Sequence, residues 1–286
     1  MDLVFTKDSL VAGIHFFESD NPNLIAQKAL RVNLSDLASM GAEPKGYLLS
    51  LALPKNGFNR ENWLKGFVTG LKEDQIIYDL RLWGGDTVST PGPLTISITA
   101  IGQVRRGINI SRSGAQEGDN IYVSGTLGDA AAGLVVLQNN LDQQSYQFLI
   151  KRYHLPEPRV KLGQRLTKVA TSLMDISDGL MGDIAHICEN SAVGANVYNE
   201  NIPTSEAFGN LLATNDEYIN LPCCGGDDYE LLFTSAPEDD RVIASLSNEL
   251  EVRITKIGEI VNGHRVKLLN GDGSEITDIG KGYSHF

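Results

Sequence analysis

Cysteine is scarce in this sequence, and its positions exclude a fold held together by disulfides. The three cysteines, Cys188, Cys223 and Cys224, are too few and too clustered for a disulfide framework. Cysteine used in this way is typical of a reducing compartment, so we expect a cytoplasmic protein. We interpret the adjacent pair Cys223-Cys224 as buried packing residues rather than a redox centre.

Positive charge is also in short supply. The chain has 24 Lys and Arg against 36 Asp and Glu, a formal net charge of −12. This balance argues against a general nucleic-acid or membrane-surface binder, although metal ions can still bring a polyanion to an acidic protein. No apolar run approaches the roughly 20 residues of a membrane span. The first residues lack the basic region and cleavage pattern of a signal peptide. We expect neither a nucleic-acid nor a membrane partner.

Two common site motifs are missing as well. No Gly-Lys-Ser/Thr follows a glycine loop, which excludes a P-loop, and no zinc-ligand spacing occurs. Carboxylates are instead frequent at turns and at the ends of predicted elements, several of them beside glycine. They are Asp8, Asp86, Asp119, Asp129, Asp175, Asp178, Asp227 and Asp228. Oxygen ligands in this number suggest magnesium and phosphate chemistry.

The order of predicted elements indicates two domains. At 286 residues the chain has room for two cores, and strand and helix patterns alternate in both halves. Among the predicted elements are a loop from Ser9 to Phe17, a strand over 94–104 with period-two alternation, a helix over 159–170 and a hairpin over 265–278. Composition changes across 105–119, where Arg, Ser and Gly accumulate. We therefore predict an α/β (α+β) protein with domains 1–112 and 113–286.

The predicted helix 21–40 carries an acidic residue on its apolar side. At about 100° per residue, Asp36 falls on one stripe with Ile25, Ala29, Val32 and Met40. An ionised carboxylate there is costly unless a cation or several donors meet it. Asp36 is therefore either a metal ligand or a carboxylate hydrogen-bonded to a neighbouring loop, and the helix alone favours neither.

Three glycine-containing motifs follow predicted strands, and a fourth, 225–230, leads into one. We predict that strand 80–83 stops at the Gly84-Gly85-Asp86-Thr87 turn, where glycine amides can approach a phosphate and Asp86 a metal. In 175–180 a helix is predicted to begin at Asp178, with Asp175 and Asp178 converging across the turn. The alternatives are a capping Asp in each case, and for 225–230 a plain acidic turn. For 124–129 we favour a structural role.

These motifs, taken in order, are highly specific. The chain resembles the thiamine-monophosphate kinase family, in the ATP-binding superfamily that includes aminoimidazole ribonucleotide synthase. The resemblance runs from Asp8 to Phe286 and rests on NLSDLASMGA, GGDT, SRSGA, GTLGDAAAGL, DISDGL, GGDDYEL and the ending KGYSHF. It implies a two-domain fold of the aminoimidazole ribonucleotide synthase type. The N-terminal domain, which binds ATP and magnesium, dimerises through its sheet, and a C-terminal α/β domain follows.

The resemblance also implies an activity and its residues. The family transfers the γ-phosphoryl group of ATP directly to thiamine monophosphate, with Mg²⁺, forming thiamine diphosphate. Implied magnesium ligands are Thr6, Asp8, Asp36, Asp86, Asp175 and Asp178. Implied nucleotide contacts are Tyr78, Gly85, Asp86, Arg112 and Ser177, and implied substrate contacts are His15, Asp227 and Tyr283. No general base is assigned, because the nucleophile is already a phosphate oxygen.

Three departures from the family keep alternatives open. The family's leading segment with a Gly-Asp-Asp-Ala motif has no counterpart in the sequence as given. Lys7 stands beside Asp8 where the family has Thr or Ser, which would put a cation next to a metal site, and Asp227 replaces a Glu. Without the leading Asp we expect Mg-ATP binding with slow turnover. The alternatives are a nucleotide-binding but catalytically impaired homologue, or another phosphoryl-transferring member such as a selenophosphate synthetase.

Overall fold

The structure is a computed structural model that describes residues 1–55, 59–108 and 110–278. It divides into two compact units. The first comprises Met1–Leu37 and Ala42–Ile108; the second comprises Ala38–Gly41 and the described residues after Ile108. Of the helices in the described part of the chain, none combines the length and apolar character that a membrane span needs.

The first unit is a four-stranded sheet with two helices. Its elements are β1 Asp2–Val11, α1 Pro22–Ser39, β2 Glu43–Pro54, α2 Arg60–Ile77, β3 Arg81–Thr90 and β4 Thr95–Val104. The strand order is β1-β4-β2-β3, with β2 and β3 parallel and the other pairs antiparallel. Parallel neighbours need a crossover, and α2 supplies it between β2 and β3.

Alternation along the strands gives this sheet one buried and one open face. Buried side chains on the first face include Leu10, Leu49, Leu51, Ile96 and Ile98. On the second face the exposed apolar side chains include Leu3, Phe5 and Leu48. The period of two predicted for 94–104 is confirmed, since residues with a polar side chain alternate with buried ones along β4.

A buried ion pair ties the two helices together. Arg31 on α1 donates from Nε and Nη2 to the Asp74 carboxylate on α2, both at 2.8 Å. Gln27 accepts from the same guanidinium at 2.9 Å. Burial raises the pKa of Asp74, which the bonds from Arg31 oppose. Breaking a pair of this kind leaves an uncompensated charge, so it fixes how α1 lies on α2.

The second unit has a seven-stranded mixed sheet. Its elements are β5 Asn120–Ser124, α3 Asp129–Gln138, α4 Gln147–His154, α5 Val160–Leu166, β6 Ala170–Asp175, α6 Leu180–Ser191, β7 Gly194–Tyr198, α7 Glu206–Leu212, α8 Leu221–Cys224, β8 Leu231–Ser235, α9 Asp240–Leu250, β9 Ile254–Val261, β10 Val266–Leu269 and β11 Glu275–Ile276. The strand order is β11-β10-β7-β9-β5-β8-β6.

Apolar clusters lie on both faces of this second sheet. Val123 of β5 belongs to the cluster that includes Ile184 of α6. The neighbouring Tyr122 belongs to the other cluster, which includes Leu162 of α5 and Leu246 of α9. Successive residues of one strand thus enter opposite cores, as a sheet between two helical layers requires. The α/β (α+β) class predicted from the sequence is confirmed.

Several predicted boundaries were wrong, chiefly where strand pairing extends an element. The loop predicted from Ser9 begins only after Val11, because β1 pairs with β4 over its whole length. The helix predicted over 159–170 ends at Leu166, and its last predicted residue already belongs to β6. The hairpin over 265–278 is confirmed by the antiparallel pair β10 and β11.

Two helical glycines provide a matched stability test. A Cβ at Gly133 in α3 would lie 2.2 Å from the carbonyl oxygen of Leu149, whereas one at Gly209 in α7 would meet nothing within 4 Å. Gly133→Ala should lower the free energy of unfolding by about 1–3 kcal/mol through overpacking. Gly209→Ala should raise it by up to about 1 kcal/mol through helix propensity. Denaturant titration followed by circular dichroism measures both, and equal changes would contradict the close packing of α3 on α4.

Candidate functional site

In the first unit, the side chains of Thr6, Asp8 and Asp36 lie on one side of the sheet. Thr6 and Asp8 are two residues apart in β1 and therefore point to the same side. The Thr6 hydroxyl donates a short hydrogen bond to the Asp36 carboxylate on α1. The Asp8 amide donates to the Asn33 side chain, also on α1, at 3.2 Å. One hydrogen-bond partner of Asp36 is thus a strand residue.

Lys7 does not stand beside this group. Its side chain is exposed on the opposite face of β1, since successive strand residues alternate. The expectation of a cation next to the Asp8 carboxylate was therefore wrong. The sequence neighbours Lys7 and Asp8 are separated by the sheet itself.

The motif Gly84-Gly85-Asp86-Thr87 is a strand segment, not the turn predicted. Pairing with β2 carries β3 through to Thr90. Asp86 lies opposite Ser50, on the open face of the sheet, and so on the other side from Asp8. Its carboxylate accepts from the Thr87 amide at 2.8 Å. A Cβ on Gly85 would lie 2.0 Å from a carbonyl oxygen of β2, so this position requires glycine.

Asp86 ends a polar row across the open face. Ser9 of β1 pairs with Ser97 of β4, Ser97 with Ser50 of β2, and Ser50 with Asp86. The hydroxyls of Ser9 and Ser97 are 2.6 Å apart. The first unit therefore presents two polar groups, one on each face of its sheet.

His15 and Tyr78 are both held by the helices of the first unit. The Val11 amide donates to His15 Nδ1 at 3.0 Å, which places the proton of a neutral imidazole on Nε2. Lys28 on α1 donates to the His15 carbonyl oxygen at 3.2 Å. Tyr78 follows α2, and the Arg31 guanidinium lies 5.7 Å from its ring centroid. Nothing in the sequence pattern singles out Lys28 or Arg31.

In the second unit, Asp175, Ser177 and Asp178 lie at the end of β6. Asp175 is the last residue of that strand, and the other two form the turn that follows. The helix begins at Leu180, not at Asp178 as predicted, because Gly179 at φ 112° still belongs to the turn. Asp178 is therefore not the N-cap of α6.

Behind this turn lies a buried carboxylate, Asp183, that the sequence motifs did not indicate. Asp183 in the first turn of α6 accepts from the Ser177 amide at 3.1 Å. Burial, and then the charge of Asp178, raise the pKa of Asp183 to about 7. Leu180, Asp183, Ile184 and Ile187 are all buried at helical spacing, so the apolar stripe that singled out Asp36 would have found Asp183 too.

Asp227 joins the same turn from the segment that leads into β8. Its amide donates to the Ser177 carbonyl oxygen at 2.9 Å, and its carboxylate accepts from the Tyr229 hydroxyl at 3.3 Å. Both Asp227 and Tyr229 have left-handed backbone, with φ of 69° and 51°. A non-glycine residue in this conformation costs about 1–3 kcal/mol and persists only where the surrounding contacts enforce it. Such strain concentrates at functional sites. The segment is strained where it meets Ser177.

A buried ion cluster fixes the start of β8. Arg159 donates to both oxygens of Glu230, at 2.6 and 2.7 Å, and Arg152 donates to one at 2.8 Å. Burial alone would raise the pKa of Glu230, but Arg159 and Arg152 hold it below its usual value. A Cβ on Gly125 would lie 2.2 Å from this carboxylate. The glycine thus makes room for Glu230, in agreement with a structural role for 124–129.

Two candidate residues remain, Arg112 and Tyr283. Arg112 is exposed near the start of the second unit. Tyr283 lies outside the described residues. Within the described ranges, no three His, Cys, Asp or Glu side chains lie close enough together to hold a metal ion.

The raised pKa of Asp183 predicts a pH-dependent stability. Its ordinary pKa is 3.8, so the folded state holds this proton more tightly, and stability falls as the pH rises through about 7. Asp183→Asn should therefore gain up to about 3 kcal/mol relative to the parent chain between pH 5 and 8. Denaturant titrations without added metal measure this difference.

The matched control is Asp142→Asn. Asp142 is exposed, and hydrogen bonds from Ser145 and Gln144 lower its pKa. It therefore stays ionised across this range, and its variant should show a constant difference from the parent chain. A constant difference for Asp183→Asn as well would mean that Asp183 is ionised in the folded state.

Two family models match the chain. Residues 1–104 match "AIR synthase related protein, N-terminal domain", and residues 116–269 match the C-terminal domain of the same name. Thiamine-monophosphate kinase of Escherichia coli K12 is 41% identical over 99% of this chain and 86% of its own length.

Solved structures agree. Thiamine-monophosphate kinase from Stenotrophomonas maltophilia K279a matches with a TM-score of 0.88 and 41% identity, over 96% of this chain and 86% of its own. The structure described as AaThiL complexed with AMPPCP and TMP also has a TM-score of 0.88, at 32% identity, covering 99% of this chain and 87% of its own. The chain belongs to the thiamine-monophosphate kinase family.

Proposed function

We propose that this chain transfers the γ-phosphoryl group of ATP to thiamine monophosphate, forming thiamine diphosphate with the help of Mg²⁺. The observation that carries the proposal is the match over almost the whole chain to relatives named for this activity. A relative of the same fold holds AMPPCP and TMP according to its description, which supports ATP and thiamine monophosphate as the two substrates.

The carboxylates of both units suit magnesium. We propose Thr6, Asp8, Asp36, Asp86, Asp175 and Asp178 as ligands of more than one magnesium ion, since Asp8 and Asp86 lie on opposite faces of the first sheet. All are hard oxygen donors, and Mg²⁺ typically takes only one or two carboxylates together with substrate phosphates and water. In the described ranges no three His, Cys, Asp or Glu side chains form a metal site, which is compatible with magnesium ions that arrive bound to ATP. Bound magnesium would neutralise charge on the donor and acceptor phosphates.

The other residues bind and orient the substrates. We propose Tyr78, Gly85, Asp86, Arg112 and Ser177 on the nucleotide side, where the guanidinium of Arg112 supplies a permanent positive charge. For thiamine monophosphate we propose His15, Asp227 and Tyr283. The hydrogen bond from Val11 to Nδ1 places the proton of a neutral His15 imidazole on Nε2, which makes that nitrogen a hydrogen-bond donor. No side chain needs to remove a proton, because the attacking phosphate oxygen is already anionic.

We further propose a homodimer, formed through the open face of the first unit, and a cytoplasmic location. Leu3 and Phe5 are each 61% exposed and Leu48 is 45% exposed on that face. Clustered apolar side chains of this kind mark interaction surfaces. The three cysteines are free thiols, which fits a reducing compartment. We assign nucleotide binding and dimerisation to residues 1–112 and the C-terminal α/β domain to 113–286.

The activity is tested by incubating the purified chain with Mg-ATP and either thiamine monophosphate or thiamine. We expect release of ADP and formation of thiamine diphosphate with the first acceptor only. Mass spectrometry identifies the product. ATP binding without turnover would favour the catalytically impaired homologue, and equal rates with both acceptors would contradict the assigned substrate.

The ligand role of Asp36 has its own test. Asp36→Asn should raise the Mg²⁺ concentration for half-maximal activity at least about tenfold, a loss that metal sites already show when a ligand's partner is removed. Lys65→Gln should leave this concentration unchanged, because Lys65 is exposed on α2, where it pairs with Glu61. Magnesium titrations of initial rates compare the two variants. An unchanged requirement in Asp36→Asn would remove Asp36 from the ligand set.

A further inference from the structure

We propose that Asp228 is a positioning residue that holds Asp227 in place for thiamine monophosphate. The inference rests on the proposed function, which puts Asp227 on the substrate side. Asp228 is 1% exposed and lies inside the second unit, so its own carboxylate does not contact substrate. It acts through the backbone of the segment 227–229.

Both oxygens of Asp228 are committed to the start of α3. Oδ2 accepts from the Gly128 amide at 2.7 Å, and Oδ1 accepts from the Ala130 amide at 3.3 Å. These amides belong to the start of the helix, where N–H groups have no partner within the helix. One side chain thereby fixes the 227–229 segment to a rigid element about 100 residues earlier in the chain.

The two neighbours of Asp228 need such an anchor. Asp227 and Tyr229 both have positive φ, a conformation that L side chains rarely adopt. Free of constraint, this segment would relax to ordinary backbone and turn the Asp227 carboxylate away from its present direction. A buried carboxylate between the two strained residues, bonded twice to α3, keeps the segment from relaxing.

The anchored segment is joined to the end of β6 by three main-chain hydrogen bonds. Asp227 donates to Ser177 at 2.9 Å, Tyr229 donates to Ile176 at 2.8 Å, and Ile176 donates to Glu230 at 2.9 Å. Asp227 is thus tied directly to Ser177, which we assign to the nucleotide side. Because Asp227 is shorter than the Glu it replaces, its direction depends more closely on the backbone.

The test is a double-mutant cycle with Asp227→Asn and Asp228→Asn. Asparagine at 228 keeps the size but offers one acceptor oxygen to two amides. We expect kcat/KM for thiamine monophosphate to fall about tenfold in Asp228→Asn, while KM for ATP stays within about twofold, a coupling within the range for contacting residues. In the Asp227→Asn background, Asp228→Asn should have little further effect on kcat/KM. Losses in kcat/KM that add in the double variant would overturn the positioning role. So would a rise in KM for ATP in Asp228→Asn as large as the loss in kcat/KM for thiamine monophosphate.

The matched control is Asp272→Asn. Asp272 also accepts a backbone amide, that of Ser274 at 2.9 Å, but in an exposed turn. This variant should keep the kinetic constants of the parent chain. If Asp228→Asn proves insoluble, Asp228→Ser replaces it in the cycle.

A second measurement does not depend on activity. Hydrogen exchange at the Asp227 and Tyr229 amides should become faster in Asp228→Asn than in the parent chain, while exchange in β7 stays unchanged. Unchanged exchange at these two amides would overturn the inference. If the parent chain does not phosphorylate thiamine monophosphate, the proposed function fails, and exchange still decides whether Asp228 holds the segment.

Discussion

The fold of the second unit depends on one constraint, which is that its buried carboxylates must have hydrogen-bond donors. Glu230 and Asp228 are both buried, and each takes its donors from elements distant in sequence. Arg152 and Arg159 meet Glu230, and the first amides of α3 meet Asp228. A buried polar or charged group without a partner is expensive, so these contacts fix the path of the backbone from α8 into β8. That path presents Asp227 beside Ser177.

The same requirement shapes the first unit, with different partners. The Arg31–Asp74 pair fixes α1 against α2, and α1 in turn carries Asn33 and Asp36 to β1. Position along a strand then decides which carboxylates share a face. Thr6 and Asp8 meet α1, whereas Asp86 lies in a polar row on the open face. A buried ion pair thus holds the helix that carries Asp36 in the first unit, and in the second unit a buried ion cluster holds the segment next to Ser177.

Sequence reasoning succeeded where a single element decides the outcome. The period of 3.6 predicted α1 with Asp36 near its end, and the period of two predicted the buried face of β4. It failed for Gly84–Thr87, where pairing with β2 overrides the glycines as turn formers. The start of α6 was also misplaced, because Gly179 adopts a positive φ that no local pattern discloses.

The sequence by itself determined the family and the kinds of side chain at the candidate site, because the motifs GGDT, DISDGL and GGDDYEL are specific in order and type. Only the tertiary structure decided which of these side chains lie together. It placed Asp86 and Asp8 on opposite faces of the first sheet. It also joined Asp228 to Gly128 and Glu230 to Arg152 and Arg159. Such pairings depend on strand register and on contacts between elements far apart in the chain, and local periodicity carries information about neither.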